Sequence, residues 1–302
     1  MGSFADALAS GKFLVTAEIN PPKGVDLTRL LADVALLQPH VDGVNVTDQS
    51  ASAMRMGAIG VAARIRRMGI EPILQVTCRD RNRIALQADL LAAAALGVEN
   101  ILCLTGDPVG IGDHPNATPV FDIRNSSQLL EAATTLMRGH DLAGNALLGA
   151  PRFVLGAATN PGVEDMDAEA RRAEDKVQKG ARFLQSQAVF EPDVFIRFMQ
   201  RLRRLNAPVL AGIILLKSAG MARHMRENIP GINIPDAMIQ ELDRATDRVA
   251  ASVAIAARTI AAIRPWCRGV HIMAIGWERH IPTVLEKAGL APSGSSATVR
   301  GF

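Results

Sequence analysis

Eight times along this chain a short run of apolar, β-prone residues gives way to a stretch with helical spacing, and that alternation constrains the fold more than any other feature. The extended runs fall at residues 13–18 (FLVTAE), 43–47 (GVNVT), 72–77 (PILQVT), 100–104 (NILCL), 153–156 (FVLG), 182–185 (RFLQ), 208–215 (PVLAGIIL) and 270–273 (VHIM). Helical spacing follows at 27–37, 54–68, 83–96, 126–137, 166–179, 192–205, 219–227, 235–263 (long enough for two helices) and 282–287. Strands that alternate with helices form parallel sheets, because each crossover must return the chain to the same end. Eight of them predict closure into a (β/α)8 TIM barrel, whose interior side chains can fill. An open doubly wound sheet would carry a glycine fingerprint after its first strand, but here that strand runs into Glu18-Ile19-Asn20-Pro21-Pro22. No linker or composition shift divides the 302 residues, so the whole of 1–302 reads as one catalytic barrel with a loose, small and polar tail from about residue 291.

Composition removes several function classes. The net charge is +3 and both signs are interspersed, so the basic run Arg201, Arg203 and Arg204 reads as a solvated helix face and no nucleic-acid stripe is expected. The three cysteines, Cys78, Cys103 and Cys267, form no CxxC pair. They predict neither a disulfide framework nor a structural zinc site, and Cys103 lies in an apolar run as a core thiol. The six histidines show no metal-ligand spacing, so no metal is expected. There is no GxSxG or P-loop motif. No apolar run of membrane length and no signal-peptide core occur, which predicts a cytoplasmic protein with no membrane partner.

In such a barrel, chemistry sits where strands end at their carboxyl side. Those ends supply Glu18; Thr47, Asp48 and Gln49; Gln75 and Thr77; Thr105, Gly106 and Asp107; Ala157, Ala158, Thr159 and Asn160; Gln185 and Gln187; Lys217; and Ala274, Ile275 and Gly276. Two carboxylates from different strands, Glu18 and Asp107, converge on one rim. A pair of this kind can divide labour, a desolvated carboxyl donating a proton while one with donor partners stays ionised and offsets a cation. Glu18 equally suits capping or ion pairing at the barrel mouth, and Asp107 equally suits loop initiation before Pro108.

These strand ends carry a resemblance. The stretch Thr16-Ala17-Glu18-Ile19-Asn20-Pro21-Pro22 resembles the first-strand E-x-x-P-P signature of methylenetetrahydrofolate reductases. Leu104-Thr105-Gly106-Asp107-Pro108 resembles their L-x-G-D loop, and Lys176-Val177-Gln178-Lys179-Gly180-Ala181, running on to Gln187-Ala188-Val189-Phe190-Glu191, resembles their K-V-x-x-G-A … Q-x-x-F-[DE] segment. Order and spacing agree from about residue 13 to about residue 288. The resemblance implies interconversion of 5,10-methylenetetrahydrofolate and 5-methyltetrahydrofolate, with hydride passing from NAD(P)H through FAD. Carried over by motif, Glu18 is the acid that helps open the imidazolidine ring, Asp107 offsets the cationic iminium form, and Gln187 hydrogen-bonds the pterin. Thr47, Gln75, Thr105, Gly106, Asp107, Phe121, Ala158, Glu169, Arg172 and Lys176 fall at cofactor-contacting positions, with Lys176 set to neutralise pyrophosphate and Glu169 to meet a ribose; Ile275 falls where an apolar side chain stacks near the substrate. The implied partners are a reduced folate and a nicotinamide nucleotide, in a chain that could assemble as a homo-oligomer.

The chain departs from the pattern around the flavin. Gln75 replaces the family's third-strand His, Thr105 the Arg before the Gly-Asp pair, and Asp175 an Arg beside the lysine. There is no Tyr at all, so an aromatic flavin contact would fall to Phe121, and the loop 113–122 diverges. These changes imply weakened FAD binding, or direct hydride transfer from the nicotinamide. Two other classes stay open: a folate-binding or methyl-transfer partner subunit without reductase activity, and an unrelated barrel such as an aldolase, for which Lys217 is the strand-end amine.

Overall fold

A computed structural model of the chain describes residues 3–290. Eight parallel strands close into a barrel in chain order: β1 (Leu14–Ile19), β2 (Gly43–Val46), β3 (Pro72–Thr77), β4 (Asn100–Leu104), β5 (Val154–Thr159), β6 (Phe183–Ala188), β7 (Val209–Ile214) and β8 (Gly269–Met273), with β8 pairing back onto β1. Around them run α2 (Thr28–Leu37), α3 (Ala58–Arg67), α4 (Arg83–Ala95), α5 (Ser126–Met137), α6 (Met166–Gln178), α7 (Pro192–Arg201), α8 (Ala219–Asn228), α9 (Asp236–Arg244), α10 (Arg248–Ile263) and α11 (Ile281–Lys287), preceded by α1 (Phe4–Ala9). The predicted (β/α)8 fold is the observed one. The tail expected from about residue 291 lies outside the described residues.

Helix starts are written locally. Asn82, Asn125, Asp165, Ser218 and Asp247 each stand one residue before a helix and accept a hydrogen bond from a first-turn backbone N–H. Such a cap contributes about 1 kcal/mol. Asp247 also explains why residues 235–263 divide into α9 and α10. The outward strand positions face the helices: Val253, Ala256, Ala257, Ile260 and Ile263 on α10 form one stripe against Ala211 and Ile213 of β7 and Val270 and Ile272 of β8. Full burial of one such aliphatic side chain is worth about 1.5–3 kcal/mol.

The inward positions grade along the barrel axis. At the N-terminal end Leu14, Ile73, Leu102, Phe183 and Leu210 form an apolar layer closed by Phe4 from α1, whose ring meets that of Phe183 edge-on at 5.3 Å. Gly156 is required there, because a Cβ at that position would lie 2.3 Å from the Phe183 ring. Helix α1 adds to the elements that periodicity predicts, and Ser3 and Asp6 form a reciprocal capping box that marks its start. Two other boundaries moved. Helix α3 starts at Ala58, beyond the expected 54, because residues 49–55 are held in a tight turn. Strands β5 and β6 extend to Thr159 and Ala188, past the expected 156 and 185. Their last residues are small or polar because they line a cavity, and such residues do not read as strand.

Candidate active site

Above the apolar layer the inward side chains turn polar. Thr16, Asn45, Gln185 and His271 fill the middle of the barrel, all at most 3% exposed. Asn45 donates its amide to Gln185 Oε1 at 2.8 Å, and Gln185 returns a bond to Asn45 Oδ1 at 3.2 Å. This buried layer satisfies its own donors and acceptors, as an interior polar network must. It forms the floor of a cavity of about 390 Å³ at the carboxyl end of the barrel, a volume near the lower end of the roughly 300–1,000 Å³ that small-ligand pockets occupy.

Glu18 stands on that floor. One of its oxygens, Oε2, accepts from Gln75 Nε2 at 3.0 Å and lies 3.5 Å from His271 Nε2. Among the described residues, no protein donor bonds its other oxygen. Gln187 enters from β6, where the pairing with β7 slips: Gln185 faces Leu210 but Ala188 faces Gly212, so β6 carries one extra residue. The bulge lets Ser186 and Gln187 both line the cavity although they are adjacent in sequence. Gln187 Oε1 is held by the Ala188 backbone N–H at 3.1 Å. Asp107 reaches the cavity from the loop after β4, its Oδ2 accepting from the Ala51 backbone at 2.8 Å. The preceding Gly106 has φ +98°, and a side chain there would press on Thr77 and Arg79 at 3.1–3.2 Å, so glycine is what allows the loop to turn against β3.

Across the cavity, Lys176 donates to the Ala158 carbonyl at 2.7 Å, and burial depresses its pKa below the ordinary lysine value. Its neighbour Glu169 is buried and bound by the Thr159 hydroxyl (2.9 Å), the Asn160 backbone (3.0 Å) and Arg172 (2.8 Å).

Glu18, Gln75, Asp107, Ala158, Glu169, Lys176 and Gln187 therefore share one cavity. The strand-end residues Thr159, Asn160 and Gln185 line it as well, while the other positions that the resemblance assigned to cofactor or substrate do not. Thr47 is buried and donates to Asn20; Thr105 accepts from the Ser126 backbone at the start of α5; Phe121 packs beside the helical layer; Arg172 is exposed against Glu169; Ile275 is 39% exposed with φ +52°; and Gly106 shapes the loop behind Asp107. Lys217 lies outside too, its ammonium 5.6 Å from the Trp277 ring centroid. The cysteines are buried, and burial raises all three thiols, Cys78 to about 12 and Cys267 to about 11. No group of three or more metal-ligating side chains occurs among the described residues, and no helix there is long and apolar enough to cross a membrane.

Sequence reasoning missed the supports. His271 precedes the end of β8 by two residues, so a search confined to strand ends passed over it; its signal was a polar side chain at an inward position between two apolar ones. Arg79 and Arg81 follow β3 directly. Arg79, 2% exposed, binds Ser52 (2.8 Å), the Asp107 carbonyl (3.1 Å) and the Gln49 carbonyl (3.3 Å), while Arg81 pairs with buried Asp48 and with Asp89. Arg79 thereby pins a turn in which Gln49, Ala51 and Ser52 all adopt positive φ, a strained backbone that persists only where its surroundings enforce it.

Comparison with known proteins gives the family. The methylenetetrahydrofolate reductase family profile matches residues 3–289. Among curated proteins, methylenetetrahydrofolate reductase 2 of Schizosaccharomyces pombe is 22% identical over 94% of this chain and 47% of its own length, and methylenetetrahydrofolate reductase 1 of the same yeast is 25% identical over 73% and 36%. The chain thus spans about half, or less, of the length of these relatives. Among solved structures, an uncharacterized Clostridium thermocellum protein described as binding two copies of 5-methyl-5,6,7,8-tetrahydrofolic acid superposes with a TM-score of 0.61 at 12% identity, covering 96% of this chain and 98% of that one. A 2,3-dimethylmalate lyase follows at 0.51 and 12%, covering 99% of this chain and 91% of that one. At these identities the superpositions establish the fold alone.

Proposed function

The chain belongs to the methylenetetrahydrofolate reductase family, and from that premise we propose that it interconverts 5,10-methylenetetrahydrofolate and 5-methyltetrahydrofolate with NAD(P)H as hydride source. The observation that carries this reading is Glu18: a carboxyl group with one oxygen anchored and the other without a protein donor, in a cavity it shares with Asp107 and Gln187. A carboxyl so placed can deliver a proton to a ring nitrogen of the folate and open its five-membered ring. Opening leaves a cationic iminium, and the Asp107 carboxylate at the cavity wall offsets that charge as it develops. Gln187 offers an amide N–H pair to the pterin edge, its carbonyl oxygen being fixed by the backbone. The folate-binding described for the Clostridium protein of the same fold supports this assignment of ligand class.

The family implies FAD, and the cavity wall fits its anionic part. Burial of the Lys176 ammonium outweighs the nearby Glu169 and Asp175 carboxylates, and its one hydrogen bond goes to the neutral Ala158 carbonyl, an environment that an added negative group would stabilise. Lys176 would hold the pyrophosphate, and Gln75, Ala158 and Asp107 are the cavity residues that would contact the rest of the cofactor. When bound, FAD would carry the hydride between nicotinamide and folate. A second reading, direct transfer from the nicotinamide, is favoured by one observation: among the described residues no Phe or Trp lines the cavity to stack on a flavin.

The test is a visible spectrum of the purified protein with added FAD, before and after 5-methyltetrahydrofolate. Flavin absorbance that the folate bleaches is the expected result. Folate-dependent NAD(P)H turnover without any associated flavin establishes direct transfer. Folate binding with no turnover in either direction overturns the reductase and leaves a folate-binding subunit.

A further inference from the structure

The acid of this site has a buried partner. His271 lies on β8, opposite Thr16 of β1 in the strand register and 3% exposed. Its Nε2 faces Glu18 Oε2 at 3.5 Å, and its Nδ1 lies 3.1 Å from the Thr16 hydroxyl oxygen. That oxygen also receives the Gln185 amide at 3.4 Å and stands 3.4 Å from the Val270 carbonyl. With the Thr16 hydrogen directed to that carbonyl, the oxygen accepts Nδ1–H, which leaves Nε2, 3.5 Å from Glu18 Oε2, as the nitrogen free to take up a proton. A histidine ring fixed at one nitrogen is committed at the other.

We propose that His271 is a positioning residue that shares the proton of Glu18, so that Glu18 and His271 together form a one-proton store for the folate step. This inference rests on the reading of Glu18 as the acid. The pair holds one proton more than a carboxylate beside a neutral imidazole. That proton leaves through the Glu18 carboxyl to the folate nitrogen as its ring C–N bond breaks, and the carboxylate and neutral imidazole that remain regain a proton from water in the next turnover. A carboxylate standing alone has only its own oxygens to seat the proton that it must deliver. The imidazole, its Nε2 3.5 Å from Glu18 Oε2, offers that proton a second seat, and two groups that share a proton release it as a pair. The surroundings allow it. Glu18 is the ionisable group facing His271 from β1; β7, on its other side, presents Leu210, Gly212 and Ile214; α10 and α11 pack behind β8 through apolar residues; Asp107, Glu169 and Lys176 line the cavity above.

The experiment compares pH profiles of the folate half-reaction, with the loaded protein, for the parent chain, His271→Asn and Glu18→Gln. Asparagine retains a group able to bond Thr16 but lacks anything at Nε2. The expected result is that the alkaline limb of His271→Asn moves at least one pH unit toward acid, with its rate restored as pH falls, while thermal unfolding of the variant stays close to the parent's. An alkaline limb left in place, with the rate unchanged or lowered equally at every pH, overturns the proton store. Should His271→Asn fail to fold, His271→Gln, which extends an amide toward Glu18, is held to the same criterion. Undiminished folate turnover in Glu18→Gln would instead remove Glu18 as the acid, a distinct failure.

Discussion

At the N-terminal end of the barrel the inward side chains are Leu14, Ile73 and Phe183, sealed by Phe4; four or fewer residues further along the same three strands they are Glu18, Gln75 and Gln187. The two ends share strands and parity, and differ in which side chains the sequence places at successive inward positions: Leu14–Thr16–Glu18, Ile73–Gln75–Thr77, Phe183–Gln185–Gln187. Barrel closure buries the lower set completely, whereas Glu18 and Gln187 of the upper set stay partly exposed to the cavity. The lower end is filled to contact, so its worth is cohesion. The upper end is a floor of mutually bonded amides below a cavity, so its worth is the placement of groups whose partners are not all protein.

That contrast predicts that damage at the two ends will separate activity from stability. Glu18→Gln should lower folate-dependent turnover by about 10²–10⁴-fold while the NAD(P)H half-reaction and the unfolding midpoint persist; steady-state and half-reaction kinetics check it, and equal loss of both halves would dissolve the division. Phe4→Ala at the opposite end should cost about 3–5 kcal/mol in urea unfolding and leave the rate per folded molecule unchanged. A milder version of the same test is Gly156→Ala, which forces the Phe183 ring to move and should cost about 1–3 kcal/mol by the same measurement, again with kcat intact.

The smallest effect concerns Lys176, the partly buried lysine of the cavity wall. Because burial holds the Lys176 pKa below 10.5, the unfolded chain binds more protons than the folded one between the depressed value and 10.5. Stability contributed by this group therefore rises as pH climbs through that window and is reduced below it. Lys176→Met should flatten this rise in a series of urea midpoints and also weaken retention of FAD on gel filtration. A slope identical to the parent's would place the desolvation elsewhere.

Periodicity made much of this legible. The alternation of runs reports burial within each segment, a local property, so the barrel, most element boundaries and the polar strand ends could be read in order. The carboxylate at residue 18 and the glutamine at 187 were visible as polar residues closing apolar strands. The first helix was passed over because its six residues are too few for a periodic signal.

What the amino-acid order determined by itself is which side chains point inward and how polarity grades along each strand, since side-chain direction follows from strand pleat alone. Only the closed structure decided which of them meet. Glu18 finds Gln75 at a separation of 57 residues and His271 at 253, through pairings that depend on the register of β8 against β1. The bulge in β6 and the grip of Arg79 on the 49–52 turn were settled in the same way, because contacts between distant segments are fixed by packing around the whole ring, and no local pattern carries that information.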